Sequence, residues 1–191
     1  GSPGVTVAVA DTGLDYTHSE LAGRIVGQVD FATGTPDEVC KTYYGGDDYD
    51  LADLYGGPAD TDWNGHGSWI GGNIGAALDG VGINGIAPKV KLFDLKIADW
   101  CGSTWDSSIL GAFDYAAAHR IDIVSISFGG YLDRTDPEQE AVYQAYVASV
   151  NNARKAGTLI IAAAGNEHTR VGRGGQVLSH GTLTLPGDEV A

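Results

Sequence analysis

The sequence is poor in basic residues and in cysteine, lacks long hydrophobic runs and contains no methionine. Its 11 Lys and Arg residues stand against 25 Asp and Glu, which gives a formal net charge of −14. Nucleic-acid binding requires clustered basic side chains, so this balance argues against a nucleic-acid partner. No apolar run reaches the roughly 18 residues that a membrane-spanning helix needs, so no membrane segment is predicted.

The amino terminus has neither a signal-peptide nor a transit-peptide pattern, and the first residue is not Met. We therefore expect either a processed product or a piece of a longer chain. A length of 191 residues suffices for one domain with a substantial core, and there is no repeat or linker. A single domain over residues 1–191 is predicted, and the acidic charge suits a soluble, secreted protein.

The two cysteines, Cys40 and Cys101, do not have the spacing of a metal-binding motif. A disulfide between them is the preferred interpretation, and two unpaired thiols are the alternative. A bridge would close a long loop and would place the protein in an oxidising compartment.

The hydrophobic pattern alternates between strands and helices, which is typical of an α/β domain with a mainly parallel sheet. Strands are predicted at Val5–Ala10, Lys89–Ile97, Ile121–Phe128 and Thr158–Ala163. Helices are predicted up to Ala118, with a capping box over Ser103 and Asp106, and from Asp136 and Pro137 to Gly157.

Three further segments are less regular. Residues 67–78 have helical length but contain four glycines, which predicts a tight place where side chains would not fit. Residues 31–64 are acidic and rich in Gly and Tyr, and residues 167–191 show no clear element. Loops as long as these usually carry function or are mobile.

Three residues with useful chemistry occur at or beside the ends of predicted strands, where α/β sheets collect ligands. Asp11 follows the first strand in DTG, His66 lies in NGHGSWIGG, and Asn166 follows the fourth strand in AAAGNE. A buried carboxylate can orient a histidine, and a side-chain amide can donate to an oxyanion. Taken singly, each residue also has an ordinary structural interpretation as a turn former, a cap or an exposed side chain.

The segments VAVADTGLDYTHSEL, NGHGSWIGG, GINGIAP, SISFGG and IIAAAGNE occur in this order. They resemble the successive signature segments of the subtilisin-like serine proteases, the subtilases, from about Val5 to Glu167. The resemblance implies a three-layer α/β fold with a mainly parallel sheet flanked by helices, incomplete at the carboxyl terminus. It also implies a serine endopeptidase that hydrolyses peptide bonds in proteins through an Asp–His–Ser triad.

The resemblance implies a role for each matching residue. Asp11 would orient His66, His66 would be the general base and then the general acid, and Asn166 would donate to the oxyanion. An extended peptide or protein substrate would be held as an added strand. The substrate-binding positions would be Ser127, Phe128 and Gly129 on one side and Gly102 and Ser103 on the other.

The sequence departs from the family pattern in one way that bears on activity. No GTS-type segment with the nucleophilic serine is present, and Ser179 in LSHGTL does not resemble it. We expect this chain alone to be inactive and the remainder of the protease domain to be its partner. The alternative is a catalytically inactive fragment or pseudo-protease that binds extended peptides. Trp69 also differs from the family's usual residue, and we expect it to pack.

Calcium is the one cofactor that the resemblance suggests, in a structural role. The loop Ala77–Ile83 resembles the family's calcium loop, with Asp79 at a ligand position and Glu20 at a second. Oxygen ligands from carboxylates and main-chain carbonyls suit Ca²⁺. The acidic stretch within residues 31–64 is interpreted as a solvated face in preference to a second ion site.

One glycine pattern points elsewhere and is dismissed. Gly80, Gly82 and Gly85 satisfy GxGxxG, the fingerprint of dinucleotide binding. That fingerprint follows a strand and opens a helix, whereas here it follows a helix-like segment and precedes Pro88 and a strand. This match is the one feature on which an interpretation as a nucleotide-binding oxidoreductase would depend.

Overall fold

The structure is a computed structural model, and it describes residues 3–32, 61–163 and 165–166 and the main chain of 182–185. The chain divides into two compact units, Gly1–Ala112 and Phe113–Ala191. The single domain over residues 1–191 stays a prediction. Within the described ranges, no helix is both long enough and apolar enough to cross a membrane.

The first unit is built on three parallel strands in the order β2-β3-β1. Strand β1 is Thr6–Asp11, β2 is Ile25–Asp30 and β3 is Lys91–Lys96. The side chains of β1 and β3 are nearly all buried, which explains their apolar, β-branched sequences. The predicted strands at Val5–Ala10 and Lys89–Ile97 are therefore confirmed.

Strand β2 was not predicted, and its position explains why. It is an edge strand, and along it exposed residues alternate with half-buried ones. Its sequence, IVGQVD, interrupts the apolar run with Gly and Gln, so it lacks the pattern of a strand buried on both faces.

Helix α1 (His66–Gly75) lies against β1 and β3. Its glycines face a crowded surface: a Cβ atom on Gly71 would come within 2.8 Å of Leu14, and one on Gly75 within 3.1 Å of Leu92. The prediction that this segment occupies a tight place is confirmed. The helix ends at Gly75, three residues before the predicted end at Leu78.

Helix α2 spans Asp106–Ala118 and ends where the sequence predicts. The predicted capping box over Ser103 and Asp106 is wrong. The Ser103 amide donates to the Asp99 carboxylate instead, and the helix begins three residues later.

The second unit contains β4 (Ile123–Ile126) and β6 (Leu159–Ala162), which pair in parallel. Helix α3 (Pro137–Ala156) packs on β6 and has the predicted caps. The Asp136 side chain accepts a hydrogen bond from the Glu138 amide, and Gly157 closes the helix in the left-handed conformation. The predicted strands at Ile121–Phe128 and Thr158–Ala163 are therefore confirmed, with slightly shorter bounds. Both predicted caps of α3, Asp136 and Gly157, are confirmed as well.

Two strands of the second unit were missed. Strand β5 (Gly130–Asp133) pairs antiparallel with β7 (Thr182–Leu185). The latter lies inside residues 167–191, so the expectation that this stretch has no element is wrong. The other stretch that was predicted to be irregular is residues 31–64, and its residues 33–60 lie outside the described part of the chain.

Candidate active site

Asp11 is the last residue of β1, and its side chain is fully buried. Its Oδ1 atom accepts a hydrogen bond from the Thr12 amide at 2.8 Å and lies 2.7 Å from Nδ1 of His66. Burial raises the pKa of Asp11, and the hydrogen bonds from His66 and Thr12 offset part of that rise. The carboxylate is therefore held rigidly beside one ring nitrogen of the histidine.

His66 is the first residue of α1, and its side chain is 42% exposed. Gly65 precedes it with a φ of 89°, a conformation that favours glycine and turns the chain into the helix. Because Nδ1 faces Asp11, Nε2 lies on the opposite side of the ring from the carboxylate. This is the orientation that a general base needs.

Asp62 connects the Asp11 turn to the first turn of α1. Its Oδ1 accepts from the Thr12 hydroxyl and the Gly65 amide, both at 2.8 Å. Its Oδ2 accepts from the amide and hydroxyl of Ser68, at 2.8 and 2.7 Å. The Thr12 hydroxyl in turn accepts from the Gly67 amide at 3.0 Å. Asp62 thus satisfies amides at the start of α1, where a negative charge is favourable.

Lys96 is a buried cation beside the same turn. It ends β3 opposite Asp11, is 2% exposed, and donates from Nζ to the Thr12 carbonyl oxygen. A weaker contact of 3.5 Å joins Nζ to the Thr61 carbonyl oxygen. Neither Asp62 nor Lys96 was predicted as a site residue. Two sequence features could have indicated them. Asp62 lies four residues before His66, and Lys96 is a charged residue at the end of an apolar strand.

Trp69 does not pack into the interior as expected, and that expectation is wrong. Its side chain is 63% exposed, and its ring centroid lies 6.2 Å from that of His66. The reason is its place on α1, on the open side of the helix, where it borders a cavity of about 470 Å³. Leu21 and Ile83 also line this cavity.

The predicted substrate-binding residues Gly102 and Ser103 lie in the turn after β3, in the same unit as Asp11 and His66. Gly102 has a φ of 80°. The side-chain amide of Asn64 donates to the Trp100 carbonyl oxygen at 2.8 Å, which ties this turn to the segment that leads into His66.

The other predicted site residues belong to the second unit. Ser127, Phe128 and Gly129 directly follow β4. Asn166 is exposed and follows β6 after Gly165, whose φ is 84°. Since β4 and β6 are parallel neighbours, these residues share the carboxyl edge of that pair.

The two predicted metal ligands differ in their surroundings. Glu20 is 8% exposed, and its Oε2 atom is buried with no hydrogen-bond partner among the described residues. Gly82 passes so close that a Cβ there would collide with Oε1 of Glu20. Asp79 is exposed, and its Oδ1 accepts from the Val81 amide at 3.0 Å. Glu20 fits a cation ligand, because a buried carboxylate oxygen requires a partner.

The predicted disulfide cannot be followed to both ends. Cys101 lies in the turn between Asp99 and Ser103, whereas Cys40 lies outside the described residues. The bridge stays a prediction.

Comparison with known proteins identifies relatives over most of the chain. The model of the subtilase family matches residues 2–186. The major intracellular serine protease of Bacillus subtilis (strain 168) is 34% identical over 166 residues, covering 85% of this chain and 43% of that protein. Thermitase of Thermoactinomyces vulgaris is 31% identical, covering 85% and 48%. The chain thus spans less than half the length of these relatives.

Solved structures agree on the fold. Sphericase has a TM-score of 0.63 at 27% identity, covering 87% of this chain and 47% of that one. A cold adapted subtilisin-like serine proteinase has a TM-score of 0.59 at 25% identity, covering 85% and 47%. The predicted fold class, a three-layer α/β arrangement with a mainly parallel sheet flanked by helices, is confirmed.

Proposed function

Because the chain belongs to the subtilase family, we propose that it supplies the Asp–His part of a serine endopeptidase. The contact of 2.7 Å between Nδ1 of His66 and Oδ1 of Asp11 carries the proposal. A buried carboxylate on Nδ1 fixes the tautomer and stabilises the imidazolium that forms during acyl transfer. By name, the matched relative from Bacillus subtilis is a serine protease, and the cold adapted protein of known structure is a subtilisin-like serine proteinase.

The proposed reaction is acyl transfer followed by hydrolysis. The serine oxygen attacks the peptide carbonyl carbon, and its proton passes to Nε2 of His66. His66 then gives this proton to the leaving amine as the C–N bond breaks, and water releases the acyl group by the reverse sequence. The Asn166 amide donates to the oxyanion. The serine belongs to the remainder of the protease domain, which is the proposed partner of this chain.

The proposed substrate is an extended peptide or protein segment held as an added strand. The residues proposed to bind it are Gly102, Ser103, Ser127, Phe128 and Gly129. The positions of these residues support the proposal, since Ser127 directly follows β4 and Gly102 and Ser103 lie in the turn after β3, in each case beyond the carboxyl end of a strand.

Calcium is proposed as a structural ion near Glu20. The buried Oε2 of Glu20 supports this, and Gly82, in the Ala77–Ile83 loop, lies close to Oε1 of the same carboxylate. When bound, the ion would neutralise the buried carboxylate and hold the loop. The carboxylate of Asp79 is a second ligand in this proposal.

Secretion and the disulfide between Cys40 and Cys101 are proposed together, because disulfides persist in the oxidising environments that secreted proteins enter. The acidic composition supports secretion. Titration of the denatured, unreduced protein is expected to find no free thiol, and two thiols would reject the bridge.

The proposed function is tested with the full-length protein and a fluorogenic peptide. His66→Ala is expected to lower kcat at least about 10³-fold. His119→Ala is the control: His119 is an exposed histidine at the end of α2 that stacks on Tyr115, and its loss should leave kcat unchanged. Retained activity in His66→Ala would remove its role. A wild-type protein that binds the peptide without cleaving it would favour the inactive alternative.

A further inference from the structure

The turn that carries Gly102 and Ser103 is built around one buried carboxylate. Asp99 is 5% exposed, and its Oδ1 atom accepts from the amides of Cys101 and Ser103, at 3.1 and 2.8 Å. Burial raises the pKa of Asp99, and these two amides offset part of the rise. A single carboxylate oxygen of Asp99 therefore bonds two amides of the turn, those of Cys101 and Ser103.

The main chain of Asp99 closes the same turn. Its amide donates to the Ser103 carbonyl oxygen at 2.9 Å, and its own carbonyl oxygen accepts from the Gly102 amide at 3.1 Å. Both main-chain polar groups of Ser103 are thus used by Asp99. The Asp99–Ser103 bond flanks the bridge between Ala98 and Thr104, so these two residues are a non-hydrogen-bonded pair and the main-chain groups of Thr104 point away from Ala98. Thr104 forms an antiparallel bridge with Ala98, which is consistent with an ordered strand at this edge.

Two further side chains, those of Thr104 and Asn64, also hold the turn. The hydroxyl of Thr104 donates to the Ile97 carbonyl oxygen at 2.6 Å, and Asn64 donates to Trp100. Asn64 lies two residues before His66. The edge that would hold the substrate and the segment that carries the histidine are therefore held in one network.

We propose that Asp99 is a positioning residue for peptide binding. It holds residues 99–104 as a preformed edge strand, so that an extended peptide pairs with this edge without first ordering it. The inference rests on the proposed function and identifies what sets affinity for the part of the substrate distant from the cleaved bond. Preordering lowers the entropic cost of binding, so its loss should raise KM more than it lowers kcat.

Two peptides separate this role from a general structural one. Both carry the same two residues before the cleaved bond, and one extends three residues further towards its amino terminus. Wild-type full-length protein is expected to prefer the longer peptide. Asp99→Ala should raise KM for the longer peptide about tenfold and change kcat/KM for the shorter one less than about twofold. Asp99→Asn keeps an acceptor oxygen and should retain most of the preference.

Asp133→Ala is the matched control, because Asp133 also accepts from an amide two residues later, that of Thr135, outside the proposed site. It should leave the preference unchanged. Equal losses on both peptides, or an Asp99→Ala protein that keeps the wild-type preference, would overturn the positioning role. A wild-type protein that cleaves neither peptide would instead overturn the proposed function.

Discussion

The hydroxyl of Thr12 donates to Oδ1 of Asp62 at 2.8 Å, joining two residues that are 50 positions apart in the sequence. Thr12 follows Asp11 directly, and Asp62 bonds the amides that open the helix of His66. This bond therefore sets the spacing between the carboxylate and the imidazole. The Asp11–His66 pair depends on it because the two residues come from separate elements, β1 and α1.

Thr12→Val keeps the size of the side chain and removes the hydroxyl. We expect kcat to fall about 10- to 100-fold, because a small displacement of a catalytic group has effects of this size. Thr12→Ser keeps the hydroxyl and should stay near wild type. Steady-state kinetics of both variants test this, and equal kcat values in the two would show that the bond does not position the pair.

Gly67→Ala tests the close approach of α1 to the Asp11 turn. A Cβ at Gly67 would collide with the Gly13 carbonyl oxygen and come within 3.2 Å of the Asp11 Cβ. We expect the free energy of unfolding to fall by about 1–3 kcal/mol, with a loss of activity. Gly130→Ala is the control, since nothing lies within 4 Å of its added Cβ. Urea denaturation that finds both variants equally stable would contradict this packing.

The sequence predicted the elements that obey a simple pattern. Strands β1 and β3 are buried on both faces and read as apolar runs, and α3 carries its own caps, Asp136 and Gly157. Edge strand β2 was missed because half of its side chains are exposed. Strand β5 was missed because it is four residues long and its partner is distant in sequence.

For the site, the motifs identified Asp11 and His66, and the structure brings them into contact. Asp62 and Lys96 could not be found by pattern. Their roles arise from bonds to Thr12 that depend on tertiary contacts between segments far apart in the chain. Asp99 was missed for a related reason, since an acidic residue after a strand is more often a simple turn former.

Glu20→Gln tests the proposed calcium ion. In the wild-type protein, added Ca²⁺ should raise Tm, because a ligand that binds only the folded state stabilises it. The shift should be much smaller in Glu20→Gln, which removes the charge of the buried carboxylate. Glu138→Gln, on the exposed start of α3, should keep the full shift. An equal shift in wild type and Glu20→Gln, measured by thermal unfolding with Ca²⁺ and with chelator, would place the ion elsewhere.

Glu140 gives a pH-dependent contribution to stability. Hydrogen bonds from Arg134 and then Gln144 lower its pKa from 4.5 to about 2. A carboxylate whose pKa is lower in the folded state stabilises that state above its unfolded pKa and loses the effect as pH falls towards its folded pKa. Glu140→Gln should therefore be less stable than wild type at pH 7, and the difference should shrink from pH 4.5 towards pH 2.

Chemical denaturation across this pH range measures the difference. Arg134→Gln should lose at least as much stability at pH 7, because Nε and Nη2 of Arg134 hold both carboxylate oxygens, at 2.6 and 3.0 Å, and its guanidinium also lies 3.8 Å from the centre of the Tyr143 ring. A difference between wild type and Glu140→Gln that is constant with pH would show that the ion pair does not contribute.

Fluorophosphonate labelling of the full-length protein, read by intact mass, tests the proposed serine endopeptidase most directly. A reagent of this class bonds to a serine oxygen only where a neighbouring base activates it. We expect one adduct on a serine outside residues 1–191, formed much more slowly in His66→Ala. No adduct on correctly folded protein, or labelling at the same rate in His66→Ala, would contradict it.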